Sequence, residues 1–264
     1  MRYSVRKLRN LRLALKEAEP AFRNVLVNRS PILESGRPYR NFGRMLPREL
    51  AANWLIAAAL DHSANSNRFH IMSDPADGDG LIFDTVTEQA LWTEHVIVIN
   101  RTRGDVGCHG PQVNILERVS EKNNRGRVYG QTRHLIVFLY RSGNPEQWWP
   151  NRLARSLPQP LHFEMVWLVC FQRFDGADRI YGVTCLDVSQ GHAPIWLVRI
   201  DSTFDRWAIC DYQLAGGPTH SPWVYNSGIL APSRGVPLAP LPPIRAIRTP
   251  SVREIARFSC QKTI

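Results

Sequence analysis

Apolar side chains recur with the period of a helix in three segments of the chain. In residues 46–59 an apolar stripe follows a proline and a glutamate that suit a first helical turn, which predicts a helix against the core. In residues 112–130 the apolar side carries Ile115, Leu116 and Val119, and at 100° per residue Lys122 falls on its flank. Residues 1–21 intersperse leucines with arginines and lysines, which predicts a helix with a basic face.

Short apolar and β-branched runs predict strands between these helices. Residues 81–87 and 92–100 are consecutive runs of this kind, and the second is too short for a buried helix. Residues 134–140 are almost continuously apolar, as in a central strand covered on both faces. Further strands are expected at residues 69–72, 163–172, 180–186, 195–200 and 207–211. The pattern therefore predicts a mixed α/β fold with a central mixed β-sheet flanked by helices.

Composition divides the 264 residues into three parts. Residues 1–44 form a predicted basic N-terminal helical arm, residues 45–214 an α/β core domain, and residues 215–264 a Pro-rich basic tail. The tail is expected to end in a short helix at residues 251–259, where Ser251 and Glu254 have the spacing of a capping box. A chain of this size can bury a large core, so one main globular body with appended ends is expected.

The net charge of +10 is concentrated at the two ends of the chain. Residues 1–44 hold 11 Lys and Arg against 3 Asp and Glu, and residues 215–264 hold 6 against 1, so the middle is slightly acidic. Cationic ends suit a polyanionic partner, because Lys and Arg on phosphates release counterions. The alternatives are that these ends are solvated, or that they bind an acidic surface of the same chain or of a protein partner.

Several features of the sequence predict a soluble, cytoplasmic protein. No apolar run approaches the ~18 residues of a membrane-spanning helix, and the first residues lack the apolar core of a secretory signal. The five cysteines are scattered and include no CxxC pair, which argues against a disulfide framework and a zinc site. The chain also lacks the GxxxxGK[ST], GxGxxG, GxSxG and HExxH patterns, which excludes the enzyme classes that depend on them.

Three charged residues, Asp79, Glu94 and Lys122, follow one another on a predicted turn, strand and helix. The turn, residues 77–80, reads Asp-Gly-Asp-Gly and leads into a strand; the next strand carries Glu94, and the following helix carries Lys122 before the buried strand at 134–140. This order resembles the core of the PD-(D/E)XK restriction-endonuclease-like superfamily, which has an Asp at the start of one strand and a Glu on the next. The resemblance covers about a quarter of the chain.

The resemblance implies a metal-dependent nuclease. Asp79, or alternatively Asp84, would hold Mg²⁺ together with Glu94, because this hard cation takes oxygen ligands. The family pattern has a Lys two residues after the Glu, where this sequence has Val96. Lys122 is expected to supply the missing ammonium from the next helix. The structural alternatives are an ordinary Asp-Gly turn, a strand glutamate that pairs with a cation, and a lysine whose stem lies along apolar surface.

Cations elsewhere in the sequence are candidates for phosphate contact. Trp148 and Trp149 precede a basic segment and suggest base stacking, or else a loop anchored on the core. Tyr129 shares a helix face with Lys122 and is expected to pack there. The candidate nucleic-acid-binding residues are Arg6, Lys7, Arg9, Arg12, Arg125 and Arg152.

Three functions are consistent with these features. The first is a possible Mg²⁺-dependent endonuclease, or a degenerate relative of one, acting on DNA or RNA phosphodiesters. The second is a non-catalytic nucleic-acid-binding protein, which the valine at position 96 favours. The third is an assembly protein whose basic and Pro-rich ends dock on a protein partner.

Overall fold

The elements of the fold follow the predicted order closely. The computed structural model describes residues 8–27, 45–73, 79–99, 111–140, 150–186 and 193–213. Within these ranges the helices are α1 (Leu11–Val27), α2 (Pro47–Ser63), α3 (Pro111–Asn123), α4 (Arg127–Gly130) and α5 (Pro150–Arg155). The strands are β1 (Phe69–Met72), β2 (Leu81–Asp84), β3 (Gln89–Ile99), β4 (Arg133–Tyr140), β5 (Met165–Asp175), β6 (Asp178–Leu186), β7 (Ile195–Ile200) and β8 (Trp207–Gln213).

All eight strands belong to one mixed sheet, in which they lie side by side in the order of the sequence. The β1–β2–β3 and β5–β6–β7–β8 neighbours are antiparallel, whereas β3, β4 and β5 run parallel to one another. A parallel pair needs a crossover connection, and α3 with α4 lies between β3 and β4 in the chain. The mixed α/β fold with a central mixed sheet flanked by helices is therefore confirmed.

The central strand β4 is covered on both faces, which explains its continuous apolar sequence. Ile136 and Phe138 belong to the core cluster formed with α1 and α2, whereas Leu135 and Val137 belong to the cluster formed with α3 and α5. Alternate side chains of a strand point to opposite faces, so the two clusters mark the two sides of the sheet. Below, these sides are called the α1/α2 face and the α3/α5 face.

The helix predicted at residues 46–59 is α2, and it is more deeply buried than one apolar stripe requires. Pro47 occupies its first turn, and the Glu49 carboxylate accepts the Leu46 backbone N–H at 2.7 Å, which satisfies one N–H at the start of the helix. Nearly all of the helix down to Asp61 is buried. The reason is that α1 covers its outer side: the Trp54 indole donates to the Leu11 carbonyl at 3.0 Å, and the rings of Phe22 and Trp54 meet edge to face.

The N-terminal helix begins later in the chain than predicted. It begins at Leu11 instead of the first residues, and its apolar stripe is buried in the core on the α1/α2 face. This helix therefore packs on the body, and the basic N-terminal arm at residues 1–44 stays a prediction. The remaining residues of the predicted 1–44 segment, 1–7 and 28–44, lie outside the described ranges. The domain boundaries at 44 and 214 and the Pro-rich tail at 215–264 stay predictions.

The single helix expected at residues 112–130 is two helices. The first ends at Asn123, whose side chain donates to the Pro160 carbonyl at 3.0 Å and accepts the His162 N–H at 2.7 Å. Gly126 then adopts φ +89°, a conformation that interrupts a helix and favours glycine. Among the described residues, no helix combines the length and the apolar character needed to cross a membrane.

Candidate active site

The Asp79–Gly80 turn brings a carboxylate to the point where β2 and β3 separate. Gly80 has φ +110°, and a Cβ atom there would lie 2.7 Å from the Asn53 amide nitrogen and 2.8 Å from the Met45 sulfur, so glycine is required. The Asn53 amide of α2 donates to the Asp79 carbonyl at 3.1 Å. The Thr93 hydroxyl donates to the Gly80 carbonyl at 2.8 Å. The turn is thus held from both a helix and a strand.

The Asp79 side chain occupies the edge of β3 that β2 leaves open. Pairing of β2 with β3 ends at Leu81 and Trp92, while β3 continues to Ile99 alongside β4. Beyond that point the Asp79 Oδ2 atom accepts the His95 backbone N–H at 2.7 Å. The carboxylate therefore takes the place of a neighbouring strand. It is bound to the residue that follows Glu94 in β3.

Glu94 points to the α3/α5 face and meets two cations. Its carboxylate contacts the Lys122 ammonium of α3 and accepts from the Arg133 guanidinium at 3.3 Å. Its side chain is only 12% exposed, and a buried carboxylate needs such partners to offset its lost hydration. The prediction that Lys122 turns toward the sheet and reaches the glutamate is consistent with this contact.

Tyr129 of α4 joins the cluster from the same side. Its hydroxyl is hydrogen-bonded to Glu94 and accepts from the Arg125 guanidinium at 2.8 Å. The guanidinium carbons of Arg125 and Arg133 lie 4.9 and 5.1 Å from the centre of its ring. Burial and the neighbouring Glu94 raise the pKa of Tyr129 to about 12, so the phenol keeps its proton as a hydrogen-bond donor.

A third carboxylate, Glu49, comes from the first turn of α2. Burial, followed by the charges of Asp79 and Glu94, raises the pKa of Glu49 to about 7. Sequence reasoning assigned this residue only to the helix N-terminus, because it precedes Asp79 by 30 residues and no local spacing connects the two. The one available signal was a glutamate in the predicted first helical turn, and it indicates a favourable interaction with the helix dipole instead of catalysis.

The carboxylates of Glu49, Asp79 and Glu94 interact with one another electrostatically. Burial raises the pKa of Asp79, and Glu94 raises it further, whereas Lys122 and Arg48 act in the opposite direction. Burial is the largest cause of the raised pKa values of both Asp79 and Glu49, and the neighbouring carboxylates add to it. The two side chains are therefore buried close enough to Glu94 to interact with it electrostatically.

The donor set fits one Mg²⁺ ion held by few protein ligands. Mg²⁺ prefers carboxylate oxygens and commonly binds through one or two of them while it keeps several waters. Asp79 and Glu94 would provide those oxygens. A larger cage is not present: the residues that the structure describes contain no group of three or more His, Cys, Asp and Glu side chains arranged to hold a metal.

His95 lies on the opposite side of β3 from Glu94 and supports the turn indirectly. Its Nε2 atom is 3.3 Å from the Asn53 side-chain oxygen, and its ring is fully buried. Burial, then the nearby Arg48 and Lys122, hold the pKa of this imidazole well below its usual range, so the ring is neutral. Asn53 thus connects His95 to the backbone of Asp79.

Asp84, the alternative metal ligand, is part of the hairpin turn between β2 and β3. Its Oδ1 atom accepts the Val86 N–H at 2.9 Å, and its Oδ2 atom pairs with the Arg68 guanidinium at 3.0 Å. It lies at the far end of β2 from Asp79, about 10 Å along the strand from Leu81 at the rise of a strand. Its carboxylate therefore has a structural role in the turn.

The candidate phosphate-binding residues are divided between the two sides of the sheet. Arg9 forms a β-bridge with Ile71 and an ion pair with Glu17 at 3.5 Å, and Arg12 is exposed on α1. Arg125 lies beside Tyr129, and Arg152 is exposed on α5. Among the four described members of the set, Arg125 is the one that contacts Tyr129, the neighbour of Glu94. Arg6, Lys7, Trp148 and Trp149 lie outside the described residues.

Comparison of this chain with protein-family models, with curated proteins and with solved structures finds no match.

Proposed function

We propose that the protein is a metal-dependent nuclease acting on DNA or RNA phosphodiesters. The observation that carries this proposal is the electrostatic interaction of Asp79, just before β2, with Glu94, inside β3, together with the contact of Lys122 with Glu94. The order β2, β3, α3, β4 around these residues supports the resemblance to the PD-(D/E)XK superfamily. The proposed site residues are Asp79, Glu94 and Lys122.

In the proposed reaction, Asp79 and Glu94 hold Mg²⁺ with their carboxylate oxygens. When bound, the ion would stabilise the charge that develops on the scissile phosphate. Asp79 is held by its bond to the His95 N–H, so its orientation is fixed before the ion binds. Lys122 shifts from its ion pair with Glu94 to the phosphate oxygens, where an ammonium stabilises the added charge.

In this proposal Lys122 takes the role of the lysine that the family pattern has at the position of Val96. Val96 packs with the apolar cluster on the α3/α5 face, two residues along the strand from Glu94. Lys122 arrives at Glu94 from the neighbouring helix on that same face. Because an ammonium acts as a point charge on a flexible stem, it can serve from a helix as well as from a strand.

Glu49 suits the role of proton acceptor in this reaction. A general base is most effective when its pKa is near the working pH, and the pKa of Glu49 is about 7. Its neighbours Asp79 and Glu94 are the proposed metal ligands, so Glu49 would accept the proton of the attacking water as the P–O bond to the leaving oxygen breaks. Bound Mg²⁺ would lower the pKa of Glu49, so the ionised form would be the one present in the loaded site.

The test is cleavage of plasmid DNA and of single-stranded DNA and RNA with Mg²⁺ or Mn²⁺. We expect Asp79→Asn and Glu94→Gln each to reduce cleavage by at least about 100-fold, equivalent to about 2.7 kcal/mol of lost transition-state stabilisation. Asp84→Asn is the matched control, because it makes the same change at the other end of β2 and should retain activity. Equal activity in all three variants would contradict the proposal.

A non-catalytic nucleic-acid-binding protein is the second candidate. The engagement of Glu94 by both Lys122 and Arg133 favours it, since these cations already occupy the carboxylate. It predicts salt-sensitive binding without turnover under any metal. The third candidate, an assembly protein, predicts a protein partner that stays bound at high salt and no affinity for nucleic acid. A cytoplasmic location belongs to the proposal in each case.

A further inference from the structure

A polar groove lies at the opposite end of α2 from the carboxylates. It is bounded by the start of α1, the end of α2, the start of β1 and the connection between β7 and β8, and it encloses about 910 Å³. This volume is within the usual range for ligand sites, roughly 300–1,000 Å³. Glu49, beside the carboxylates, and Asp61, in the groove, are about 18 Å apart along the helix at 1.5 Å per residue.

Two arginines line the groove without an ion pair. Arg12 of α1 and Arg206, just before β8, are both exposed, and neither forms a salt bridge with any residue that the structure describes. Lys16, also in the lining, is instead held by Asp205 at 3.0 Å and by the Thr203 carbonyl. Arg12 and Arg206 therefore keep their charge for an anionic ligand.

A rigid aromatic side chain completes the lining. Trp207 is partly exposed in the groove, and its ring meets the Trp54 ring edge to face at 5.5 Å between centroids. Trp54 is fully buried in the core, so Trp207 is supported from below. Because the indole is already held in place, it loses little conformational entropy when a flat ligand stacks on its exposed part.

Asp61 supplies a hydrogen-bond acceptor at the floor of the groove. Its Oδ1 atom accepts the backbone N–H groups of Arg68 and Phe69 at 2.8 and 2.9 Å. Among the described residues the Oδ2 atom makes no further hydrogen bond. A carboxylate oxygen of this kind accepts from the amino groups of a nucleobase, as acidic side chains do when they contact cytosine.

We propose that this groove binds one nucleotide unit of a nucleic-acid strand, with phosphates on Arg12 and Arg206, the base on Trp207, and its amino group toward Asp61. Cations alone would indicate any anion, but cations together with a stacking surface and a base acceptor select a nucleotide. The choice of a strand over a free nucleotide rests on the proposed function.

The experiment measures binding of a labelled 12-nucleotide single-stranded DNA by fluorescence anisotropy, in EDTA so that no cleavage occurs. We expect Arg12→Gln/Arg206→Gln to bind at least about tenfold more weakly, with a log–log salt dependence flatter by about 1.4, since each lost phosphate contact removes about 0.7. Both residues are exposed, so folding is retained. Trp207→Leu should also bind about tenfold more weakly, with its folding verified by thermal unfolding.

The matched control is Arg118→Gln/Arg155→Gln, which removes the same charge from exposed positions on α3 and α5, across the sheet from the groove. Its affinity should stay within about twofold of the wild type. Equal losses in the two double variants, or none in Arg12→Gln/Arg206→Gln, would overturn the inference. Competition by AMP that depends on Arg12 and Arg206, with strand binding independent of them, would overturn the strand as the ligand.

The two proposals fail separately in this design. If Asp79→Asn and Glu94→Gln lose cleavage while the groove variants keep full affinity for the strand, the groove inference alone is wrong. If no metal supports cleavage but the groove variants lose affinity, the nuclease proposal alone is wrong.

Discussion

At the scale of single residues, Glu49 has a property that its position at the start of a helix does not indicate. Its carboxylate caps the start of α2 through the Leu46 N–H, yet burial and two neighbouring carboxylates raise its pKa to about 7. The same group therefore contributes to the helix and carries a cost when it ionises. A residue with both properties gives stability a dependence on pH.

We predict that Glu49→Gln removes a fall in stability between pH 4.5 and 7. In this window the native state holds a proton that the unfolded chain has released, so the free energy of unfolding of the wild type decreases as pH rises. The decrease is at most about 3 kcal/mol, because a shift of one pKa unit corresponds to about 1.4 kcal/mol. Glutamine keeps the capping acceptor and does not titrate.

Urea unfolding in EDTA at pH 5 and pH 8 measures this effect. The free energy of unfolding of the variant minus that of the wild type should be larger at pH 8 than at pH 5. Glu117→Gln, at an exposed position on α3, is the control and should follow the wild type at both values. An unchanged pH dependence in Glu49→Gln would show that the carboxylate is not perturbed.

At the scale of elements, the packing of α1 decides whether the N-terminal segment is an arm or part of the body. The buried residues Leu11, Leu15 and Phe22 follow one another at helical spacing and join the core cluster that contains Trp54. Arg12 and Lys16 face outward from the same helix and reach the groove. The helix thus serves two purposes, since its apolar side closes the core and its basic side lines a candidate ligand site.

We predict that Leu15→Ala lowers the free energy of unfolding by about 3 kcal/mol, as expected when a fully buried leucine leaves a cavity. Leu13→Ala is the matched control on the same helix, because Leu13 is 63% exposed and should change stability by less than about 0.5 kcal/mol. Chemical denaturation measures both. Equal, small effects would indicate that α1 is only loosely attached in solution.

At the scale of the whole molecule, the candidate active site and the groove occupy opposite ends of α2. Glu49 lies in the first turn of this helix and Asp61 in the last. Because α2 is buried along nearly its whole length, it holds the two sites at a fixed separation.

We predict that Mg²⁺ stabilises the native protein through the carboxylates. At a concentration about ten times its dissociation constant the ion adds about 1.4 kcal/mol, which corresponds to a rise in Tm of about 3 °C for a domain of this size. Asp79→Asn and Glu94→Gln should lose this increment, while Asp84→Asn keeps it. A thermal-shift titration measures the change without any need for activity. A rise of equal size in all three variants would place the ion elsewhere.

The sequence determined the local elements and the order in which they occur. The period of apolar positions predicted α2 and the buried strand β4, because periodicity reflects which side of an element faces the core. The rotation of 100° per helical residue predicted that Lys122 lies on the side of its helix that faces the sheet. The contact of Lys122 with Glu94 is consistent with that prediction. These features depend on residues within a few turns or strand positions of one another.

Tertiary structure alone decided which distant groups became neighbours. The placement of Glu49 beside Asp79, the burial of α1 on α2, and the groove that joins Arg12 to Arg206 each bring together residues far apart in the sequence. The splitting of the 112–130 segment at Gly126 also followed from contacts that fix Asn123 to the 160–162 loop. Spacing in a sequence specifies an element's own faces, whereas pKa values, burial and cavities depend on what the fold packs against those faces.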